Sequence, residues 1–282
     1  MIQACLPTIR RAIRDAAGIA VNAAPVAVGG GCIHDAFRLG SFFVKLNRPD
    51  CLPMFEAEAE GLRAIAATGT IRVPEPVVCG AAAQAAFRAM EWLDLGGRGD
   101  EARMGAEIAA MHLCEGDAHG WPRDNFIGST PQENARTENW REFFRDRRLA
   151  PMFRQLAENG APVKCAESMS ERVPELLDGV EACPSLLHGD LWGGNAGFLG
   201  DGTPVVFDPA VYRGHHEADL AMTRLFGGFG PRFYQAYHDV IPTDSGEADR
   251  ERLYNLYHIL NHALLFGGGY HAQAAAIVRA LA

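Results

Sequence analysis

The sequence predicts an α+β fold in two lobes, a β-rich N-lobe over residues 1–93 and a mostly helical C-lobe over 94–282. Three observations lead there. The chain has 282 residues, 48% apolar and 22% charged, an ordinary globular composition that is long enough for two cores. Short β-prone runs separated by turn residues fill much of the first third. Beyond Leu95-Gly96-Gly97-Arg98-Gly99, a flexible crossing, apolar residues recur at helical spacing.

Taken in order, residues 5–17 set Leu6, Ile9 and Ile13 at helical spacing with arginines between them, so a short amphipathic helix is expected. Strands follow within 25–46, around the turn Gly29-Gly30-Gly31-Cys32-Ile33-His34, and Phe42-Phe43-Val44-Lys45-Leu46 has strong β-propensity. Residues 53–67 read as a helix with Pro53 near its start and Leu62 and Ile65 on one face. Strands are expected at 77–79 and 87–92. In the second lobe, Met104, Ile108 and Met111 mark a helix over 101–114. Further helical stretches are expected at 137–158, 165–182, 216–240 and 248–266, with short strands and loops over 186–208.

Charge and cysteine usage narrow the class. The net charge is −9, which argues against a nucleic-acid binder. Residues 1–93 hold 9 basic and 8 acidic side chains, and 94–282 hold 17 and 27. The acidic second part suits metal ions or a cationic substrate; a solvated acidic surface explains it equally well. The seven cysteines are scattered, with no C-x-x-C and no zinc-ligand spacing, so reduced thiols in a cytoplasmic protein are expected. The N-terminal stretch, with Arg10, Arg11 and Arg14, lacks the apolar run of a signal peptide, and no stretch approaches a membrane span. Arginines number 24 and lysines two, Lys45 and Lys164. A lysine kept among so many arginines suggests a site that rejects a guanidinium.

The strongest local signal is His188-Gly189-Asp190-Leu191-Trp192-Gly193-Gly194-Asn195, followed by Val205-Val206-Phe207-Asp208. Phosphoryl transfer needs a carboxylate beside the attacking hydroxyl and hard oxygen ligands for magnesium. Asp190 supplies a candidate base, and Asn195 and Asp208 supply candidate metal ligands. An incidental turn-rich loop is the competing reading. Lys45, at the end of its strand, is placed to hold nucleotide phosphates and to pair with a glutamate of the next helix, which offers Glu56, Glu58 and Glu60. Gly29, Gly30 and Gly31 would let backbone N–H groups approach phosphates, although an ordinary hairpin turn explains them too. Cys32 in that turn is a candidate redox-sensitive thiol. Of the remaining polar residues, His112 reads as a packed core histidine, His188 as a brace for its loop, and Asp219 as a buried anchor accepting backbone N–H bonds from the loop. His215, His216 and Glu217 hint at a metal, without a further ligand at convincing spacing.

These residues carry a likeness to a known family. The chain resembles the fructosamine (ketosamine) kinases, a branch of the protein-kinase-like fold related to aminoglycoside phosphotransferases and choline kinases. The likeness includes Phe43-Val44-Lys45, Met54-Phe55-Glu56-Ala57-Glu58, the block Gly120-Trp121-Pro122-Arg123-Asp124-Asn125-Phe126-Ile127-Gly128-Ser129-Thr130-Pro131-Gln132, the 188–195 loop and Leu225-Phe226-Gly227-Gly228-Phe229. Trp192, directly after Asp190-Leu191, and the 120–132 block separate this branch from its relatives. The resemblance implies an ATP- and Mg2+-dependent kinase acting on the sugar 3-hydroxyl of a free or protein-bound ketosamine, with an unstable product that releases the amine. It implies Asp190 as base, Asn195 and Asp208 as magnesium ligands, and Lys45 paired with Glu58. It also implies adenine binding at the connector near Glu91 and Leu93, and Trp192 and His262 at the sugar-amine. The alternatives are a kinase for another small amine or sugar, aminoglycoside- or choline-like, or an inactive nucleotide-binding regulator. A monomer is expected, or a dimer linked through Cys32.

Overall fold

The structure, a computed structural model, describes residues 2–29 and 34–281. In chain order the elements are α1 (Ile2–Ala17), β1 (Val26–Ala27), β2 (Asp35–Leu39), β3 (Phe42–Asn47), α2 (Leu52–Thr68), β4 (Pro76–Ala82), β5 (Ala85–Glu91), α3 (Glu101–His112), β6 (Asn125–Ile127), β7 (Thr130–Gln132), α4 (Trp140–Phe144), α5 (Ala150–Glu158), α6 (Ala166–Leu176), β8 (Ser185–Leu187), β9 (Ala196–Phe198), β10 (Pro204–Val206), β11 (Tyr212–Gly214), α7 (Glu217–Leu225), α8 (Pro231–Val240), α9 (Glu247–Phe266) and α10 (Gly269–Leu281). They group into two compact units, residues 1–100 with 197–208, and residues 101–196 with 209–282.

Alternation along β3 organises the first unit. Phe42, Val44 and Leu46 are buried and share a core with Cys5, Leu6, Ile9 and Ile13 of α1. Successive side chains on a strand point to opposite faces, so Lys45 lies on the other side of the sheet. The sheet order is β1-β2-β3-β5-β4, and the antiparallel register sets Lys45 opposite Arg88 of β5. α2 packs on β4 and β5. It has Pro53 in its first turn and ends at Gly69, whose φ of +67° is a left-handed cap that favours glycine. Residues 197–208 return to this unit, a feature that a continuous division after Leu93 does not provide. Phe198 O accepts from the N–H groups of Gly96 and Gly97 at 3.3 and 3.2 Å, and Val206 N–H donates to Arg72 O at 3.0 Å. A Cβ on Gly97 would lie 1.8 Å from Leu199 O, so only glycine permits the contact.

The second unit is built round α9. Leu253, Tyr254, Leu256, Tyr257, Ile259 and Leu260 form one core with Trp140, Phe143, Phe144 and Leu149. Two expected helices are interrupted. The 137–158 stretch starts at Trp140, where Asn139 Oδ1 accepts from the N–H groups of Arg141 and Glu142, and it widens into a π turn over 145–149 before α5. The 216–240 stretch breaks between α7 and α8, where Gly227 and Gly228 take φ of +73° and +105° and Pro231 opens the next helix. α8 then packs on α3, where a Cβ on Gly105 would meet Phe233 O at 2.2 Å. Two elements fall outside the expected ones, the β6–β7 hairpin and α10, whose fully buried side chains are Ala274 and Val278. Among the described residues, no helix is long and apolar enough to cross a membrane.

Candidate active site

On the Lys45 face of the first unit, four charged side chains converge. Lys45 Nζ lies 3.3 Å from Glu58 Oε1 and 2.7 Å from Asp208 Oδ1. Arg88 Nη1 lies 2.5 Å from the same Glu58 oxygen, and its Nη2 3.7 Å from Asp208. Lys45 and Arg88 are buried, so their charges are tolerable only because the two carboxylates are beside them. Asp208 reaches this place at the end of β10 with a φ of +57°, a left-handed conformation that aspartate adopts more readily than most residues. Desolvation pushes its carboxyl up, but Lys45, the Glu58 hydrogen bond and Arg88 outweigh it, holding Asp208 well below the ordinary carboxylate range. For Glu58 burial prevails over the cations and raises it. Asp208 is therefore the carboxylate that stays ionised. His34 sits beside this group, its Nδ1 accepting from the Asn47 amide at 2.8 Å; burial and then the Lys45 charge lower its pKa to about 4.

Arg88 was not singled out from sequence. Its signal is a lone cation in an otherwise apolar strand, Ala85-Ala86-Phe87-Arg88-Ala89-Met90, masked by the abundance of arginine. Arg88→Met should lower unfolding stability by about 3 kcal/mol, since it leaves a buried carboxylate short of one cation. A urea titration that shows no shift of midpoint would refute this.

In the second unit, β8 leads into the 188–195 loop. The loop backbone is fixed by Asp219 at the start of α7: Oδ2 accepts from His188 N–H at 2.6 Å and Oδ1 from Gly189 N–H at 2.9 Å. His112, fully buried, lies with Nε2 3.1 Å from Asp219 Oδ2 and Nδ1 2.7 Å from the Tyr237 hydroxyl. Asp190 N–H donates to His188 Nδ1 at 3.3 Å. Ala210 N–H donates to His188 O at 2.8 Å, and a Cβ on Gly189 would lie 2.0 Å from Ala210 O at a φ of +81°. Residues 210–211 are held in turn by the β6–β7 hairpin. Asn125 Nδ2 donates to Val211 O, Gln132 Nε2 donates to Ala210 O, and the Tyr257 hydroxyl donates to Gln132 Oε1. The 120–132 block is thus structural support for the loop.

Within the loop, Asn195 Nδ2 donates to Asp190 O and to Asp190 Oδ2, both at 2.9 Å. With its amide nitrogen so engaged, the carbonyl oxygen of Asn195 is the end suited to a cation. Trp192 is 38% exposed and its indole lies over Gly194, where a Cβ would come within 2.3 Å of the ring. Gly193 N–H donates to Gly227 O at 3.2 Å, and a Cβ on Gly228 would stand 2.5 Å from Gly193 Cα.

Of the other expected site residues, Gly29 is exposed and follows β1; Gly30, Gly31 and Cys32 lie outside the described residues. The six described cysteines are free thiols. Glu91 pairs its carboxylate with Arg72, and its N–H donates to Glu75 O at 2.8 Å. The Leu93 carbonyl accepts from Leu95 N–H at 3.1 Å. His262 is partly buried among aromatic rings on α9. His215, His216 and Glu217 bring ligand-type atoms within 4.8 Å of one another. Glu217, however, is held by Arg250 at 2.6 and 2.5 Å, and His215 Nδ1 by the Tyr254 hydroxyl at 2.8 Å. Two of the three are thus already engaged by Arg250 and Tyr254.

A strand lysine shared between a helix glutamate and a strand-end aspartate, with an aspartate and an asparagine five residues apart on a braced loop, defines a phosphotransferase of the protein-kinase-like fold. An aminoglycoside phosphotransferase solved with streptomycin and ATP has this fold, with a TM-score of 0.67 at 13% identity over 97% of this chain and 95% of its own. The chain belongs to the fructosamine kinase family, whose model matches residues 5–282. It is 45% identical over 259 residues to a probable ketoamine kinase of Synechocystis sp., covering 89% of this chain and 88% of that protein. It is 42% identical over 262 residues to the chloroplastic protein-ribulosamine 3-kinase of Arabidopsis thaliana, covering 89% and 80%. The crystal structure of a fructosamine-3-kinase candidate from Haemophilus somnus superposes with a TM-score of 0.93 at 25% identity, over 99% of this chain and 98% of its own.

Proposed function

We propose that the protein transfers the γ-phosphoryl group of ATP to the sugar 3-hydroxyl of a ketosamine, a ribulosamine or fructosamine, and so initiates deglycation. The observation that carries the reading is the Asp190 carboxylate, steadied by Asn195 at 2.9 Å in the loop that also presents Trp192. Asp190 accepts the proton of the attacking hydroxyl. Lys45 holds the nucleotide phosphates, with Glu58, itself paired with Arg88, fixing its position. Gly29, Gly30 and Gly31 approach the phosphates through their backbone, and the connector at Glu91 and Leu93 receives the adenine. Asn195 and Asp208 are the magnesium ligands. The donor set fits that ion, since an amide oxygen and an ionised carboxylate are the hard oxygens magnesium prefers. When bound, it neutralises phosphate charge. Trp192 and His262 contact the sugar-amine, and family membership together with the ribulosamine 3-kinase named above favours this substrate class.

The test is steady-state phosphorylation of ribulose-lysine, fructose-lysine, choline and kanamycin with ATP and magnesium. Turnover of one or both lysine adducts, with choline and kanamycin inert, is expected. Turnover confined to choline or kanamycin would overturn the ketosamine assignment, and no turnover of any would favour the regulator.

A further inference from the structure

Five rings form a connected, part-exposed surface leading away from the catalytic loop. Trp192 meets Phe226 edge-on, with ring centroids 6.0 Å apart. Phe226 lies 4.7 Å from His262, and His262 lies 5.5 Å from Phe266 and 5.0 Å from Tyr270. Trp192, Phe226 and Phe266 are 38%, 36% and 53% exposed. Exposed apolar rings gathered in one patch mark a binding surface more often than scattered single ones do. The patch is also built into the loop. The backbone contact of Gly193 with Gly227 and Gly228 admits no side chain, and it fixes Phe226 against Trp192, two residues from Asp190.

None of the five carries a charge. Burial lowers the His262 pKa below its ordinary value, against the opposing effect of the His258 carbonyl, so the imidazole is neutral at pH 7. Its Nδ1 lies 2.8 Å from His258 O. A carbonyl only accepts, so Nδ1 carries the proton and Nε2 is the acceptor. A neutral acceptor whose ring has three aromatic neighbours within 5.5 Å, centroid to centroid, is matched to a secondary ammonium on a hydrocarbon chain. It accepts the N–H, the faces attract the cation, and the chain covers the outer rings. It offers nothing to a carboxylate placed next to the nitrogen.

We propose that Phe226, His262, Phe266 and Tyr270, continuing from Trp192, form a subsite for the amine-borne arm of the ketosamine, and that its occupant is the hydrocarbon stem of a glycated lysine. This rests on the ketosamine reading above and adds the part of the substrate that the phosphate never touches. An arm bound equally in ground and transition states changes KM and not kcat.

The experiment compares ribulose adducts of methylamine, butylamine, glycine and the side chain of Nα-acetyl-lysine amide, on wild type and on Phe266→Ala, Tyr270→Ala and, as a control, Leu113→Ala at another exposed apolar position. In the wild type, kcat/KM should rise about tenfold or more from methylamine to butylamine and blocked lysine, chiefly through KM, with the glycine adduct poorest. Phe266→Ala and Tyr270→Ala should each bring the butylamine-to-methylamine ratio towards one, and Leu113→Ala should leave it unchanged. Two separate variants keep the test open if one of them does not fold. A flat wild-type series in which every adduct is phosphorylated overturns the subsite and leaves the ketosamine activity standing. So does a ratio that neither aromatic variant changes. Failure of every adduct to be phosphorylated overturns the ketosamine reading itself, and the subsite with it.

Discussion

Asp190→Asn is expected to lower kcat by about 10³-fold, within the range of about 10² to 10⁴ that a positioned general base contributes, while ATP affinity changes little. Asparagine preserves the shape, and its amide oxygen still accepts the Asn195 Nδ2–H that now reaches Asp190 Oδ2 at 2.9 Å. The loop geometry is therefore kept and only the capacity to take a proton is lost. Single-turnover phosphorylation reads the chemical step, and calorimetric titration with ATP and magnesium reads binding. Activity within about tenfold of wild type would remove Asp190 from the role of base. A parallel collapse of ATP binding would instead point to a disturbed loop.

Asp219→Ala is expected to cost about 3–5 kcal/mol of stability and to abolish activity with it. The carboxylate accepts from His188 N–H and Gly189 N–H and contacts His112, all of them in a buried setting. Each orphaned backbone donor costs about 1–3 kcal/mol, and no rearrangement of alanine replaces them. Denaturant unfolding should show a lower midpoint at an unchanged slope; a wild-type midpoint would remove the anchor role. The pH dependence has a defined sign. Burial pushes Asp219 up, but the His112 hydrogen bond and charge, His188 and the Gly189 N–H outweigh it and leave the carboxyl below its ordinary value. A carboxyl depressed by folding contributes stability that is full above its unfolded pKa of about 4 and is lost as the pH falls through the lower, folded value. Wild type should accordingly lose more stability than Asp219→Ala between neutral and acidic pH.

Much of this was legible in the sequence because the chemistry is local. Lys45 follows from its place at the end of a β-prone run in a chain with only two lysines, the 188–195 loop from the spacing of aspartate and asparagine, and the Asp219 anchor from an acid at the opening of a helix behind that loop. The structure added what depends on distant partners. Arg88 joins Lys45 only through the β3–β5 register, and periodicity along one strand carries no register. The interruption after α7 hangs on Gly227 and Gly228 meeting Gly193; in a window dominated by apolar periodicity, two glycines do not outweigh the helical signal. The 120–132 block is conspicuous as a motif, yet its work, amides holding the backbone at 210–211, is visible only once the chain is folded. The return of 197–208 to the first unit rests on backbone bonds to Gly96, Gly97 and Arg72 that leave no imprint on side-chain pattern.

The burial of Lys45 has a consequence for how the protein itself withstands reducing sugars. Reducing sugars attack exposed, unpaired primary amines, and the chain has only two lysines. Lys45 is 8% exposed and held between two carboxylates, whereas Lys164 is exposed and takes no part in the site. A protein that acts on glycated amines thus presents few of its own to glycation, and the lysine proposed to hold the nucleotide phosphates is the shielded one.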